Sequence, residues 1–477
     1  MYTLHTYQDW QTAKEDARRD LLLDIVTRYK ASAEFRTALE ANEYFRGNNT
    51  AVGGKVLLKP VAVESTNQNT GVKRKRTRLQ EIVGNRVRSN FLFRFVTQQN
   101  QYLLGNGVTL DETAYKAALG MGFDKALEQA GERALLHGVC WMFWNLDHVE
   151  VLPACVDALS GCVALLDERT GEPAMAVQFW QLSAKRPLYV RLFELDGVTE
   201  YRKDKSGLIE TAPKRPYRLT ISRDGAGDTI TGAENYARLP VVPFYASAEK
   251  ASELTPAIKS KIDLYDRILS DFGDNLDKAN DVYWVLNNFG GSMADIAEMI
   301  EQIEKIRAVV NLSDGTGAAS TATPQAFEVP HEARRAALEL LEKALYADYM
   351  ALNMDELTGG SLTNVAIQAA TTALNLKCDR YEWQAFTAVQ RLLELIGVKT
   401  EKIRFTRQAI TNRSEVVQDI VAMRQDINHE TALKLNPYIM PEEIEGIMRD
   451  IAAEQLTGAP SMAELERMLR ELRGGDA

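Results

Sequence analysis

At 477 residues the chain is long enough for more than one hydrophobic core, and its 45 % apolar and 26 % charged content is that of an ordinary globular protein. No apolar run approaches the ~20 residues a membrane helix needs, and Met1-Tyr-Thr-Leu-His-Thr-Tyr7 lacks the basic-then-apolar order of a signal peptide. A formal net charge of −10 argues against tight, indiscriminate DNA binding, because phosphate affinity comes from Lys and Arg, though not against a chain that surrounds DNA without gripping it.

Taken in order, residues 9–43 read as helices, with a stripe of Leu21, Leu22, Ile25, Val26 and Tyr29. A turn and loop follow at 44–54. Residues 61–78 are mostly polar and close on the dense basic run Lys73-Arg-Lys-Arg-Thr-Arg78, read as a loop entering a helix that opens at Leu79 and ends at Gly105-Asn-Gly107. Residues 115–137 predict another helix, weakened by Gly120, Gly122 and Gly131. From 139 to 246 the period changes to short strands at 139–144, 148–152, 174–180, 188–195, 217–222 and 239–245, separated by turns such as Asp196-Gly197 and Ser206-Gly207. Three of the four cysteines, Cys140, Cys155 and Cys162, lie in this region; with Cys378 they form no CxxC pair and read as free buried thiols of a reducing compartment.

Ser252-Glu-Leu-Thr-Pro-Ala257 opens a long helix, with Pro256 in its first turn and an apolar face of Ile258, Ile262, Tyr265, Ile268, Leu269, Phe272 and Leu276 opposite a charged one. A compact insert follows: a strand at 281–289, a helix at 293–306, a strand at 307–312, a flexible tip at 315–323, and a closing stretch at 327–329. A second long helix spans 332–352. The polar loop 353–364 carries Gly359-Gly360, and Ser361, Thr363 or Asn364 can cap the next helix, which runs unbroken by Pro or Gly to Ile396. That helix begins with the small, uncharged Ala366-Ile-Gln-Ala-Ala-Thr-Thr-Ala373, which lets another helix approach closely. It continues with Tyr381, Trp383, Phe386, Leu392, Leu393 and Ile396, suited to a broader core. Two kinds of surface on one helix suit either a ring of copies or a long helix in an ordinary helical domain. A strand at 402–406 and tail helices at 414–424, 431–435, 441–456 and 462–472 complete an α+β, mainly helical chain.

Chemical motifs are scarce. Residues 47–55 superficially resemble a phosphate-binding loop, but Gly54-Lys55 is followed by Val56, where a Ser or Thr must hold magnesium. The five histidines form neither HExxH nor a tight pair with Cys, and no Gly-x-Ser-x-Gly elbow is present; His137, near Cys140, reads as a core or strand-edge residue. Asp355 and Glu356 suit catalytic carboxylates or a solvated turn. Asp271, Asp274 and Asp277 suit a cation site or a solvated helix face. The basic run Lys73, Arg74, Lys75, Arg76 and Arg78 suits phosphate contact or a polar loop. No catalytic, cofactor or metal residue is assigned.

The order of elements, an α+β half, long helix, small insert, long helix, loop, very long helix and helical tail, resembles the portal proteins of tailed double-stranded-DNA bacteriophages, in the branch of siphophages and related prophages. Local likenesses are Tyr44-Phe-Arg-Gly47, Asn85-Arg-Val-Arg-Ser-Asn90 with Gln101-Tyr-Leu-Leu-Gly-Asn-Gly107, Leu239-Pro-Val-Val-Pro-Phe244, Asp263-Leu-Tyr-Asp-Arg-Ile-Leu-Ser-Asp271, and the Thr431, Pro437, Glu442-Glu443 pattern. The resemblance implies a homo-oligomeric ring, typically of twelve copies, at one capsid vertex of the virion, assembled in the host cytoplasm. Residues 1–252 would be the wing, 253–280 and 330–352 the stem helices, 281–329 the clip, 353–364 the tunnel loop, 365–406 the tunnel helix and strand, and 407–477 the crown with a disordered end. It implies partners too: double-stranded DNA without sequence preference, the terminase large subunit, head-completion or adaptor proteins, and major capsid and scaffolding proteins, with no membrane. The loop side chains facing DNA would be Asp355, Glu356, Leu357, Thr358, Gly359, Gly360 and Ser361; its acidic pair avoids holding phosphate, and the glycines let it move. Two alternatives stand beside this: a metal-dependent nucleic-acid enzyme, and another structural ring or minor head protein.

Overall fold

The computed structural model describes residues 5–66, 73–224, 227–279, 283–287, 321–325, 331–354, 364–400, 402–408, 413–423, 428–436, 439 and 444–457. The chain is α+β and divides into two compact units, residues 1–351 with 377–407, and residues 352–376 with 408–477.

The first unit opens with helices α1 (Tyr7–Thr12), α2 (Glu15–Ala31) and α3 (Ala33–Phe45). Side-chain caps set the starts of α1 and α3. Thr6 and Asp9 form a capping box, and the Ser32 hydroxyl accepts the Phe35 N–H at 3.1 Å. The sequence pattern then fails. Residues 61–66 and 73–78 are strand, not loop, and Leu79 opens no helix. The backbone forms strands β1 (Val56–Thr66) and β2 (Lys73–Val83), paired antiparallel in unbroken register from Val56↔Val83 to Thr66↔Lys73. Helix α4 begins only at Phe91 and ends at Leu104. Between them lies the extended segment 84–90.

Strand β3 (Val108–Leu110) and helices α5 (Thr113–Ala118) and α6 (Phe123–His137) follow. The single helix expected over 115–137 is two, because Gly120 and Gly122 take the left-handed φ values of 82° and 83°. Strands β4 (Val139–Asn145), β5 (His148–Pro153), β6 (Cys155–Asp157), β7 (Ser160–Leu166), β8 (Pro173–Trp180), β9 (Tyr189–Glu194), β10 (Gly197–Asp204) and β11 (Gly207–Arg215) come next. They are followed by β12 (Arg218–Asp224), β13 (Gly227–Glu234) and β14 (Val241–Tyr245). Strands β6 to β11 form one antiparallel meander in sequence order, β12 and β13 a separate hairpin, and β14 returns to pair with β4 on the side opposite β5.

Strand β4 is buried along nearly its whole length because it lies between two cores, and the period of two sorts its side chains. Val139, Trp141 and Phe143 join Trp10, Ile25, Tyr29, Phe35, Val177 and Phe179, closing the first helices onto the meander. Cys140, Met142 and Trp144 join Phe95, Leu135, Phe244, Tyr349, Tyr381 and Leu392. All four cysteines are buried and free, as expected.

Helix α7 (Pro256–Ala279) precedes β15 (Tyr283–Asn287), which pairs antiparallel with β16 (Thr321–Gln325). Strand β16 occupies part of the expected flexible tip. The expected helix at 293–306, the strand at 307–312 and the stretch 327–329 lie outside the described residues. Helices α8 (His331–Tyr349) and α9 (Asn364–Leu395) match the long patterns; α9 extends about 48 Å at 1.5 Å per residue. Strand β17 (Ile403–Phe405) pairs with β3, nearly three hundred positions earlier in sequence. One expected core residue, Trp383, is instead 69 % exposed.

In the second unit the early turns of α9 carry Thr371 and Thr372, whose hydroxyls donate back to the carbonyls of Ile367 (3.0 Å) and Gln368 (2.8 Å). Helices α10 (Arg413–Ala422), α11 (His429–Leu435) and α12 (Ile444–Thr457) follow. Asn428 caps α11 by accepting the Thr431 N–H at 2.7 Å, and α11 packs against α12. The expected helix at 462–472 and the terminal residues lie outside the described residues.

Candidate functional site

Helices α7 and α8 lie side by side and antiparallel, and bracket the insert between them. Lys261 pairs with Asp348 near one end. At the other, Arg334 donates to the Asp271 carbonyl at 3.1 Å, and the His331 ring meets Phe272 edge-on at 5.7 Å. Tyr346 and Tyr265 both pack edge-on against Phe91, so the pair rests on α4.

One row of α7 at i, i+4 spacing is buried from end to end: Ile258, Ile262, Asp266, Ser270 and Asp274, none more than 4 % exposed. The row changes from apolar to polar where the extended segment 84–90 crosses it. Alternate backbone N–H groups of that segment donate into the helix: Ser89 to Asp266 (2.8 Å), Val87 to Ser270 (3.0 Å) and Asn85 to Asp274 (2.7 Å). The spacings match because four helical residues rise about 6.0 Å and two extended residues about 6.7 Å. Ser270 Oγ also donates to the Val87 carbonyl at 3.2 Å. Asn49 joins by donating to the Ser89 carbonyl (3.0 Å) and to the second Asp266 oxygen (2.5 Å). At Gly273 the Asn85 side chain comes close, and a Cβ there would stand 3.2 Å from Asn85 Nδ2.

The electrostatics differ along the row. Burial holds the Asp266 carboxyl above the usual carboxylate range, against the hydrogen bonds from Asn49 and Ser89. Burial acts on Asp274 as well, but Lys55 and the Asn85 amide outweigh it and leave that carboxyl below its usual value. Lys55 also reaches Asp271, at 2.7 Å. Asp274 is therefore neither a cation ligand nor a solvated residue, which corrects both readings open to it from sequence; the Asp277 side chain lies outside the described residues. Among the described residues no group of three or more His, Cys, Asp or Glu could hold a metal ion.

A second buried polar cluster lies where α8 ends. Lys377 Nζ, on α9, donates to Glu253 Oε2 (2.7 Å) and to the Tyr349 carbonyl (2.9 Å), and stands 3.2 Å from the centre of the Tyr349 ring. Tyr349 in turn donates its hydroxyl to Gln99 (2.9 Å), and Tyr381 donates to Asn100 (3.0 Å), so α4 receives both helices at adjacent residues. Sequence reasoning passed over Lys377 and Glu253. The one available signal was a lysine set among the apolar residues of a long helix.

The remaining expected site residues are placed as follows. Asp355, Glu356, Leu357, Thr358, Gly359, Gly360 and Ser361 lie outside the described residues. Lys73, Arg74, Lys75, Arg76 and Arg78 are on β2, opposite Thr66, Ser65, Glu64, Val63 and Val61 of β1. The segments singled out earlier become structural joints. Tyr44 donates to Asp263 of α7, Asn106 to the Thr406 carbonyl at 2.9 Å, and Phe244 stacks on Tyr381 at 5.6 Å.

A long helix pair anchored on an α+β body brackets the insert and precedes a still longer helix. Residues 28–471 match the family described as phage portal protein, SPP1 Gp6-like, and the chain belongs to that family. It is 29 % identical over 193 residues to the portal protein of Clostridium phage phiCD119, covering 39 % of this chain and 42 % of that one. It is 27 % identical over 260 residues to the portal protein of Bacillus phage SPP1, covering 51 % of this chain and 49 % of that one. The chain thus spans about half the length, or less, of the curated relatives it matches. No helix among the described residues is long and apolar enough to cross a membrane.

Proposed function

We propose that the chain is one subunit of a ring-shaped channel at a single capsid vertex, through which double-stranded DNA is packaged and ejected, and that it catalyses no reaction itself. The carrying observation is the antiparallel α7–α8 pair bracketing the insert in a chain whose family match extends from residue 28 to 471. In this reading residues 1–252 are the wing, the helix pair the stem, 281–329 the clip that receives the terminase large subunit and later adaptor proteins, 353–364 the loop against DNA, and 407–477 the crown. Major capsid and scaffolding proteins contact the outer wall. Ring assembly suits α9, whose first turns offer small residues and whose later turns enter the second core.

The mechanism asked of such a ring is passive. DNA must slide, so the wall must bind phosphate weakly, and Asp355 and Glu356 repel it while Gly359 and Gly360 let the loop yield. Negative-stain imaging of the purified protein tests the reading. Rings with a central hole are expected; monomers throughout a concentration series would overturn it.

A further inference from the structure

Lys377 occupies an unusual place in the chain. The polypeptide leaves the first compact unit after Ala351 and re-enters it at Lys377. Both crossings therefore lie within reach of one ammonium group, which holds the Tyr349 carbonyl just before the exit and is itself the point of return.

The backbone at the exit is strained. Helix α8 ends with Met350 N–H donating to the Ala347 carbonyl (3.1 Å) and Ala351 N–H to the Tyr346 carbonyl (3.0 Å), the paired bonds of a left-handed helix stop. Helix α9 ends with the same bond pattern, Gly397 to Glu394 (3.2 Å) and Val398 to Leu393 (2.8 Å). There the left-handed position holds glycine, with φ 83°. At the end of α8 it holds Met350, with φ 62°, a conformation that a side chain with Cβ resists. Something outside the helix must hold that stop closed. Lys377 does so in three ways: it satisfies a carbonyl of the last turn, it places positive charge at the negative end of the helix dipole, and it stands over the Tyr349 ring. Glu253, three residues before α7, compensates the partly buried charge and ties the start of α7 into the same joint.

We propose that Lys377 is a positioning residue that pins the left-handed stop at the end of α8, and so fixes the residues from which the 353–364 loop departs. The role of the loop rests on the channel reading above; the pin itself does not.

The test uses full-length chains carrying Lys377→Met, Lys377→Arg or Glu253→Gln, digested with a small amount of a non-specific protease. Cleavage between residues 350 and 363 is expected to rise about tenfold in Lys377→Met, with sites elsewhere unchanged, and to return near the parental rate in Lys377→Arg. Unchanged cleavage in Lys377→Met, or a rise spread over the whole chain, would overturn the pin. If the variants fail to fold, hydrogen exchange on the unmodified protein decides: slow exchange at Met350 and Ala351 supports the pin, and exchange at the free-peptide rate removes it. Particles assembled with Lys377→Met are expected to hold less DNA. Normal packaging together with accelerated loop cleavage would keep the pin and sink the assignment of the loop to the DNA path.

Discussion

His137 shows what one buried titratable group contributes. It closes α6, is fully buried, and its Nε2 lies 2.9 Å from Asn42 Oδ1. The Asn42 amide is oriented by donating its own N–H to the Cys155 carbonyl at 3.2 Å, so the imidazole must be the Nε2–H tautomer and donate to Asn42. The sequence reading of a core residue, not half of a catalytic pair with Cys140, agrees with this placement. Burial first, and the Arg133 charge second, push the His137 pKa down to about 3. The folded value lies below the unfolded one, so His137 contributes stability that is complete above about pH 6.5 and is lost as pH falls toward the folded value. The loss is on the order of 1.4 kcal/mol for each pH decade crossed. Gln at this position keeps an N–H for Asn42 and takes up no proton. In urea titrations at about pH 7 and about pH 5, His137→Gln should lose less stability on acidification than the parent. Parallel losses would show that His137 is not protonated on unfolding.

Helix α7 shows which features of an element can be read from sequence. Its length, its start near Pro256 and the buried Ile258 and Ile262 were legible, because they depend on local spacing, whereas Leu276 of the expected apolar face is 43 % exposed. The burial of Asp266, Ser270 and Asp274 was not, since polar residues at helical spacing look the same whether water or a crossing strand supplies their partners. The crossing strand was hidden for a related reason. Segment 84–90 makes its bonds with backbone, which leaves no periodic trace, and hairpin β1–β2 carries the polar composition of a loop. In the meander the turns were legible as turns. Leu195-Asp196 and Lys205-Ser206 do reverse the chain, but the far end of β10 and most of β11 are solvated, and both strands lack the alternation that marks a strand. Ser270→Ala tests the ladder between α7 and the segment. It leaves the Val87 N–H and carbonyl without their shared hydroxyl, and each unsatisfied group costs ~1–3 kcal/mol. A urea midpoint within error of the parent would mean that water replaces the rung without loss.

At the scale of the whole molecule, charge decides how the proposed ring would meet DNA. Each copy brings a formal −10, yet Lys73, Arg74, Lys75, Arg76 and Arg78 gather positive charge on one strand of a long hairpin. If the hairpin touches DNA it opposes sliding, because each neutralised phosphate adds about 0.9 to the slope of log affinity against log salt. In the proposed channel, sliding tolerates only a few such contacts. We therefore expect the assembled ring to bind linear duplex weakly at physiological salt, with a shallow slope. Replacing all five basic residues by Gln lowers that slope by at most about 4.5, the value for five full contacts at ~0.9 each. A slope that does not move on replacement places the hairpin away from the duplex and assigns its charge to a protein neighbour. A drop close to the maximum would make the hairpin a brake on the passing DNA, and would require the rest of the channel wall to offset it by repulsion.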